Sequence, residues 1–385
     1  MAGLIKTAYD RYVEFALRSQ PMVRTIADKK PAQQAMPGST VVFSLYNDLT
    51  AATAELGETT DIDAVALPDV STVSVTLKER GNAAIASRKL QLFSLSDVDP
   101  AIADIIAFNM ADSIDKLAME ELRGGTNVLF GGTRTSTATV TASDVVDSAD
   151  LRKAITKLRS GKAVPRQGNL YWVGVHPEVS HDLRAETGSI GWRDIHGGTD
   201  SVAAQNIYAG SIGTYEGGYF IESDRMYNAK TGADQATLAT TAVTVAGTSA
   251  GFTLGVASSS VIAQRAEVGD KIAGTGIATS PVAKITAITT SGSTTTITVD
   301  TAHTAAVTAT TVVTVTPVTR VFNTFIAGKQ ALAEATAVEP NVVIGPVTDN
   351  LNRFRPIGWY GVLGFSRYRE ASLYRIETGS SVAAK

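Results

Sequence analysis

Residues 96–125 read SDVDPAIADIIAFNMADSIDKLAMEELRGG, and this stretch decides how the rest of the chain is read. It opens as a helix should. Ser96 and Asp97 offer capping oxygens, Asp99 places a further acid at the positive end of the dipole, and Pro100 fits the first turn. From Ile102 onward Ile105, Ile106, Met110, Ile114, Leu117, Ala118 and Leu122 keep an apolar stripe at helical spacing, and Gly124-Gly125 ends it. About 24 residues at about 1.5 Å each span about 36 Å. This is a spine, about twice the length of an ordinary globular helix.

Upstream, residues 4–20 form a second helical pattern. Ala8, Tyr12, Phe15 and Ala16 lie beside Tyr9, Val13 and Leu17, and Pro21 closes the run. Nothing adjacent in sequence offers these aromatics a surface, so Tyr12 and Phe15 mark an arm that seeks a partner. An extended segment, 22–38, follows. Strands are expected at 41–46 and 71–77. Between them Glu55, Glu58, Asp61, Asp63 and Asp69 run without one Lys or Arg. Lys78-Glu79-Arg80-Gly81-Asn82 reads as a charged turn or bulge, with 83–90 continuing the strand to Arg88 and Lys89. The excursion 39–95 does not bury both its faces alone. Its charges serve either as a solvated face or as contacts to a neighbour: acidic Glu55, Glu58, Asp61 and Asp63, basic Lys78, Arg80 and Arg88.

Downstream the chain alternates like a mixed α/β domain. A Gly/Thr loop or hairpin (128–142) leads to a helix at 149–160, with Gly161 at C′. A buried strand at 170–175 precedes His176, placed to cap a helix that starts with Pro177 at N1 and runs to about Arg184. Another strand is expected at 217–223. From 229 the composition changes abruptly. Through 318 only Lys230, Asp234, Arg265, Glu267, Asp270, Lys271, Lys284 and Asp300 are charged, amid Thr, Ala, Gly and Val. Alternation at 283–288, 294–299 and 311–316 predicts an inserted, self-contained all-β module. After it come a strand at 320–327, a short helix or turn at 328–335, a strand at 341–347, and closing strands at 355–364 and 366–378.

Composition removes several chemistries. The 385 residues hold 34 Lys and Arg against 37 Asp and Glu, a net charge of −3, so no basic excess points to sequence-specific nucleic-acid reading. There is no Cys and there are 4 His, which argues against thiolate chemistry and a His-built metal centre. No signal peptide fits the start, and the uncharged run 235–264 is too rich in Thr, Ser and Gly for a membrane span. These features point to a soluble chain of a reducing compartment. Gly247-Thr248-Ser249-Ala250-Gly251 matches G-x-S-x-G, with Asp270 or Asp300 and then His303 following in hydrolase order. The motif needs a sharp strand-to-helix elbow, and 252–260 has no helical stripe. Gly328-Lys329 lacks the remaining residues of a phosphate loop. His176 and His181 stand five apart and do not share a helix face for a metal. No catalytic, cofactor or metal residues are expected.

The order of elements resembles the HK97-like capsid fold, an α+β architecture. Specific strings resemble the N4 gp56 family of phage major capsid proteins: MPGSTVVF (36–43) leading to LTA (49–51), VHPEVSHDLR (175–184), AGSIG (209–213), FNTFIAGK (322–329), GWYG (358–361) and 370–377. The resemblance covers about 1–228 and 319–379. In the insertion, VGDKIAGTGI (268–277) resembles small β-sandwich or β-roll modules of phage structural proteins. The resemblance implies an N-terminal arm (1–38), an E-loop with its stem (39–95) and a P-domain with spine helix (96–148). It further implies an A-domain (149–228, returning at 319–337), the inserted β-domain (229–318), and closing P-domain strands with the C-terminus (338–385). It implies a coat subunit that assembles with itself as hexamers and pentamers, contacts neighbouring capsomers, and encloses double-stranded DNA non-specifically. Scaffolding, portal and cement functions are then expected from separate proteins, with assembly in the host bacterial cytoplasm and no membrane partner. The alternatives are a surface or tail protein that uses the β insertion for adhesion, and a hydrolase built on Ser249.

Overall fold

The computed structural model describes residues 21–31, 40–46, 48–53, 55, 65–87, 98–186, 213–241, 244–246, 252–274, 277, 280–301, 312–345, 351 and 353–383. The chain divides into two compact units. One joins Met1–Gly125 with Lys329–Leu373, the other Thr126–Gly328 with Tyr374–Lys385. The expected helix at 4–20 lies outside the described residues.

In the first unit the spine is helix α1, Val98–Arg123, 26 residues long. Ile106, Ile114, Ala118, Met119 and Leu122 are its buried side. It lies against a sheet of strands ordered Ala27–Pro31, Leu332–Ile344, Phe354–Arg367 and Lys78–Ser87. Two polar contacts fix it there. Trp359 Nε1 donates to Asn109 Oδ1 at 2.9 Å, and Arg367 donates to the Glu121 carbonyl at 3.0 Å. A hairpin of Thr40–Leu45 and Ser71–Thr76 packs Phe43 and Val75 against Ala333, Ala335 and Tyr368.

Three expectations are corrected here. Residues 78–82 are not a turn: Lys78–Ser87 pairs without interruption along the next strand, from Lys78 opposite Leu363 to Ser87 opposite Phe354. Gly81 answers a close approach, since a Cβ there would stand 2.6 Å from the Trp359 carbonyl oxygen. Residues 328–335 turn only through Ala331, and Leu332 already begins a strand. The Ala-rich run looked helical, but partners on both flanks, Ala27–Pro31 in parallel and Phe354–Arg367 antiparallel, take up its backbone groups. Finally, the segment after Pro21 is not wholly extended: a 3-10 turn, Val23–Ile26, precedes a strand that joins the chain's own sheet.

The second unit holds a sheet ordered Val128–Phe130, Leu373–Thr378, Val318–Ala327, Tyr171–Val175, Gly218–Glu222 and Thr214–Tyr215. Helices α2, Ser148–Ser160, and α3, Pro177–Ala185, share one core with it through Leu151, Ile155, Leu158, Val179, Leu183, Val173 and Phe322. His176 caps α3 as expected, its Nδ1 accepting from the Glu178 amide at 3.3 Å. The end of α2 differs from expectation. Gly161 is the C-cap itself, with φ −76°, and the left-handed residue is Lys162, φ 56°. Its amide bonds to the Arg159 carbonyl at 3.0 Å and that of Ala163 to Leu158 at 3.0 Å, a Schellman closure.

The insertion folds as two facing sheets, Leu238–Thr241 with Val312–Thr316 and Lys271–Gly274, and Thr244–Ala246 with Thr253–Ala257, Thr294–Val299 and Ile285–Ser291. A short helix α4, Val261–Arg265, is capped by Ser260. Leu254, Ile262, Ile272, Ile297 and Val313 fill the space between. The insertion starts later than 229, because Asn228–Asp234 pairs with Val318–Ala327 of the α/β sheet. At its neck the Gln235 amide donates to the Pro317 carbonyl at 2.8 Å.

Candidate assembly surfaces

Of the residues expected at contacts, Glu55, Lys78 and Arg80 are described, and all three are exposed. Tyr12, Phe15, Glu58, Asp61, Asp63 and Arg88 lie outside the described residues. Lys78 and Arg80 sit on the outermost strand of the first unit's sheet, where charge blunts an otherwise open edge. Together with Ser74, Thr76, Leu117 and Glu121 they line a cleft of about 430 Å³. Leu363, Gly364, Phe365 and Ser366 complete its lining, in which Glu121 is the one acid beside the two cations.

The same sheet carries a surface that the sequence reading did not single out. Ile357 and Trp359 are buried, Trp359 against α1, so alternation turns Pro356, Gly358 and Tyr360 to the other face. Register places Ile85 opposite Pro356, Val343 opposite Gly358 and Val338 opposite Val362. Ile85 is 66% exposed, Val343 43%, Tyr360 40% and Val338 40%. Near the hairpin, Val42, Tyr46, Val65 and Leu67 are exposed as well. Contiguous apolar exposure of this kind marks an interaction surface. The signal was present in the strands 332–344 and 354–367, which are apolar at both parities; a strand wet on one face is not.

The root of the N-terminal segment is pinned by two buried carboxylates. Asp115 on α1, 2% exposed, accepts from the Val23 amide at 2.6 Å and the Arg24 amide at 3.1 Å. Burial pushes its carboxyl above the usual carboxylate range, against the pull of those amides and that of Met22. Arg24 in turn donates to Glu334, wholly buried, at 2.5 and 3.1 Å. Neither carboxylate was foreseen, because each is paired with residues distant in sequence, Asp115 across about 90 positions and Glu334 across 310.

The motifs set aside in the sequence fare as follows. Ser249 and His303 lie outside the described residues. Phe252 leads into a strand, Thr253–Ala257, not a helix. Asp270 is buried on Lys230, and Asp300 accepts from the Lys284 amide at 2.7 Å. His181 bonds to Asp182, and burial lowers the pKa of the capping His176. Among the described residues no group of three or more His, Asp or Glu could hold a metal, and no helix is long and apolar enough to cross a membrane.

A family model described as phage capsid protein matches residues 9–382. Among solved structures the chain is similar to the capsid asymmetric unit of cyanophage Pam1, with TM-score 0.62 and 12% identity over 99% of this chain and 98% of that one. It is similar to the capsid of Ralstonia phage GP4, with TM-score 0.61 and 12% identity over 98% and 96%. The capsid of cyanophage P-SCSP1u gives 0.59 and 12% over 98% and 94%. At such identities the likeness is one of fold. A search of curated proteins found no match.

Proposed function

The chain belongs to the phage capsid protein family, and from that premise we propose how its surfaces build a shell. It is a coat protein with the mixed α+β fold of HK97-like capsids, a structural subunit and not an enzyme. Its site of action is the virion capsid, where copies assemble into capsomers of an icosahedral shell.

Within that frame the finer reading is ours. The subunit is of the N4 gp56 type. Its arm (1–38), rooted through 23–31 on the chain's own helix and sheet, and its E-loop (39–95) reach neighbouring subunits, α1 serves as the spine of the P-domain, and the α/β sheet with α2 and α3 serves as the A-domain. Hexamers and pentamers form in the host cytoplasm, any scaffold being a separate protein, and the finished shell encloses double-stranded DNA without reading its sequence. Portal and cement functions come from other chains. The acids Glu55, Glu58, Asp61 and Asp63 of one copy meet Lys78, Arg80 and Arg88 of the next, with Tyr12 and Phe15 packing under a neighbour.

One observation carries this reading: the spine-and-sheet unit buries Ile357 and Trp359 on one face and leaves Ile85, Val338, Val343 and Tyr360 exposed on the other. A subunit made to stand alone has no use for that face. Negative-stain microscopy of the expressed chain tests it, with capsomer rings or closed shells as the expected result. A monodisperse monomer at all concentrations, with scaffold supplied, rejects it.

A further inference from the structure

The core of the inserted module and the core of the α/β domain share no residue. Beyond the two chain crossings, a set of polar contacts joins them. Asp270, from the module, has no exposed surface, and its carboxylate accepts from Lys230 Nζ at 2.5 Å, the Glu267 amide at 2.8 Å and the Val318 amide at 3.1 Å. Lys230 and Val318 belong to the α/β sheet. Lys230, itself 10% exposed, also reaches Glu267 at 3.1 Å. Arg320 of the same sheet donates to Glu267 at 3.1 Å. On the other side Lys271 donates to both oxygens of Asp234, at 2.6 and 2.8 Å. Gly269, at φ +96°, lays the turn along the stem of Lys230, whose carbons begin 3.4 Å from where a Cβ would stand.

These contacts come from five consecutive residues, 267–271. Apolar burial is non-directional, whereas hydrogen bonds hold only over a narrow range of distance and angle. A buried carboxylate tolerates no intermediate position. Tilting the module strips Lys230 and Val318 from Asp270 together and leaves a buried charge with one amide of its own turn. We propose that the turn 267–271 is a latch that fixes the inserted module in a single orientation on the α/β domain, where separate cores alone would leave it a swinging tether. Because the central carboxylate has no exposed surface, the latch holds at ionic strengths that dissolve surface pairs.

The chain has no cysteine, so two introduced ones are its only labelling sites. Thr289→Cys on the module and Lys157→Cys on α2 are both exposed positions. Spin labels there, diluted with unlabelled subunits, give an intramolecular distance distribution by pulsed electron paramagnetic resonance. The expected result is one narrow distance, unchanged at about 1 M salt. Lys230→Met broadens it or adds a second distance, with the circular dichroism spectrum retained. Should that chain not fold, Glu267→Gln with Lys271→Ala loosens the seam from its surface and carries the same expectation. A broad distribution in the otherwise unaltered chain overturns the latch. So does a narrow one that neither altered seam disturbs.

Discussion

Asp150 lies in the first turn of α2, 4% exposed, with Oδ2 lacking a partner. Burial raises its pKa to about 6, the Asp147 carboxylate adds to the rise, and Lys153 pulls the other way. The folded chain therefore holds this proton more tightly than the unfolded chain does. The stability it lends is full below the unfolded value near 4, falls as pH rises through about 6, and is gone above. Asp150→Asn is thus expected to stabilise the chain by on the order of 2 kcal/mol near pH 8 and by progressively less toward pH 4, read from denaturant midpoints across pH. The helix start survives the change, because Asp147 caps the Asp150 amide, not its side chain. Asp115 works the other way. Asp115→Ala leaves the Val23 and Arg24 amides buried without their acceptor, a loss of about 1–3 kcal/mol. Thermal unfolding measures the loss, and earlier protease cleavage near residue 22 locates it. Unchanged cleavage would show that the strand Ala27–Pro31 alone holds the root.

At the scale of elements, helices α1, α2 and α3 were legible because their burial follows the helical period, and the strand Tyr171–Val175 because it is a short unbroken run buried at every position. Two of the misread segments show where that logic stops. Gly81-Asn82 resembles turn chemistry, yet the glycine serves a carbonyl on the next strand, a partner distant in sequence. The alanines of 331–335 carry helix propensity, yet two flanking strands override it, as tertiary pairing overrides a weak local preference. The acidic segment 55–69 is legible only as composition. Its proposed role gives a prediction nonetheless. Reversing Glu55, Glu58 and Asp61 to Lys is expected to lower shell yield severalfold while circular dichroism of the subunit stays unchanged. Each exposed pair contributes only about 0.2–1 kcal/mol, but every subunit repeats it. Full yield at low salt would dismiss the pairing.

For the whole molecule, the sequence announced an insertion by its change of composition and misplaced its first edge, since Asn228–Asp234 has the polar character of the module but the pairing of the α/β sheet. The open apolar face of the first unit was legible only in part: its strands are apolar at both parities, but which parity is covered depends on a helix docked from elsewhere in the chain. Replacing 236–316 by a short Gly/Ser linker is expected to give soluble subunits that still form capsomer rings under the microscope. The parent sheet keeps every strand it pairs, and closing so short a loop adds little entropy. Insoluble or unfolded product would place the module within the parent core. The neck bond from Gln235 to Pro317 has a practical corollary. Two backbone atoms 2.8 Å apart bracket a complete folded cassette, so this point in the chain is a socket. Any foreign domain whose own ends lie side by side could be plugged there, and a shell would then carry it at one copy per subunit, on a lattice pitch fixed by the coat.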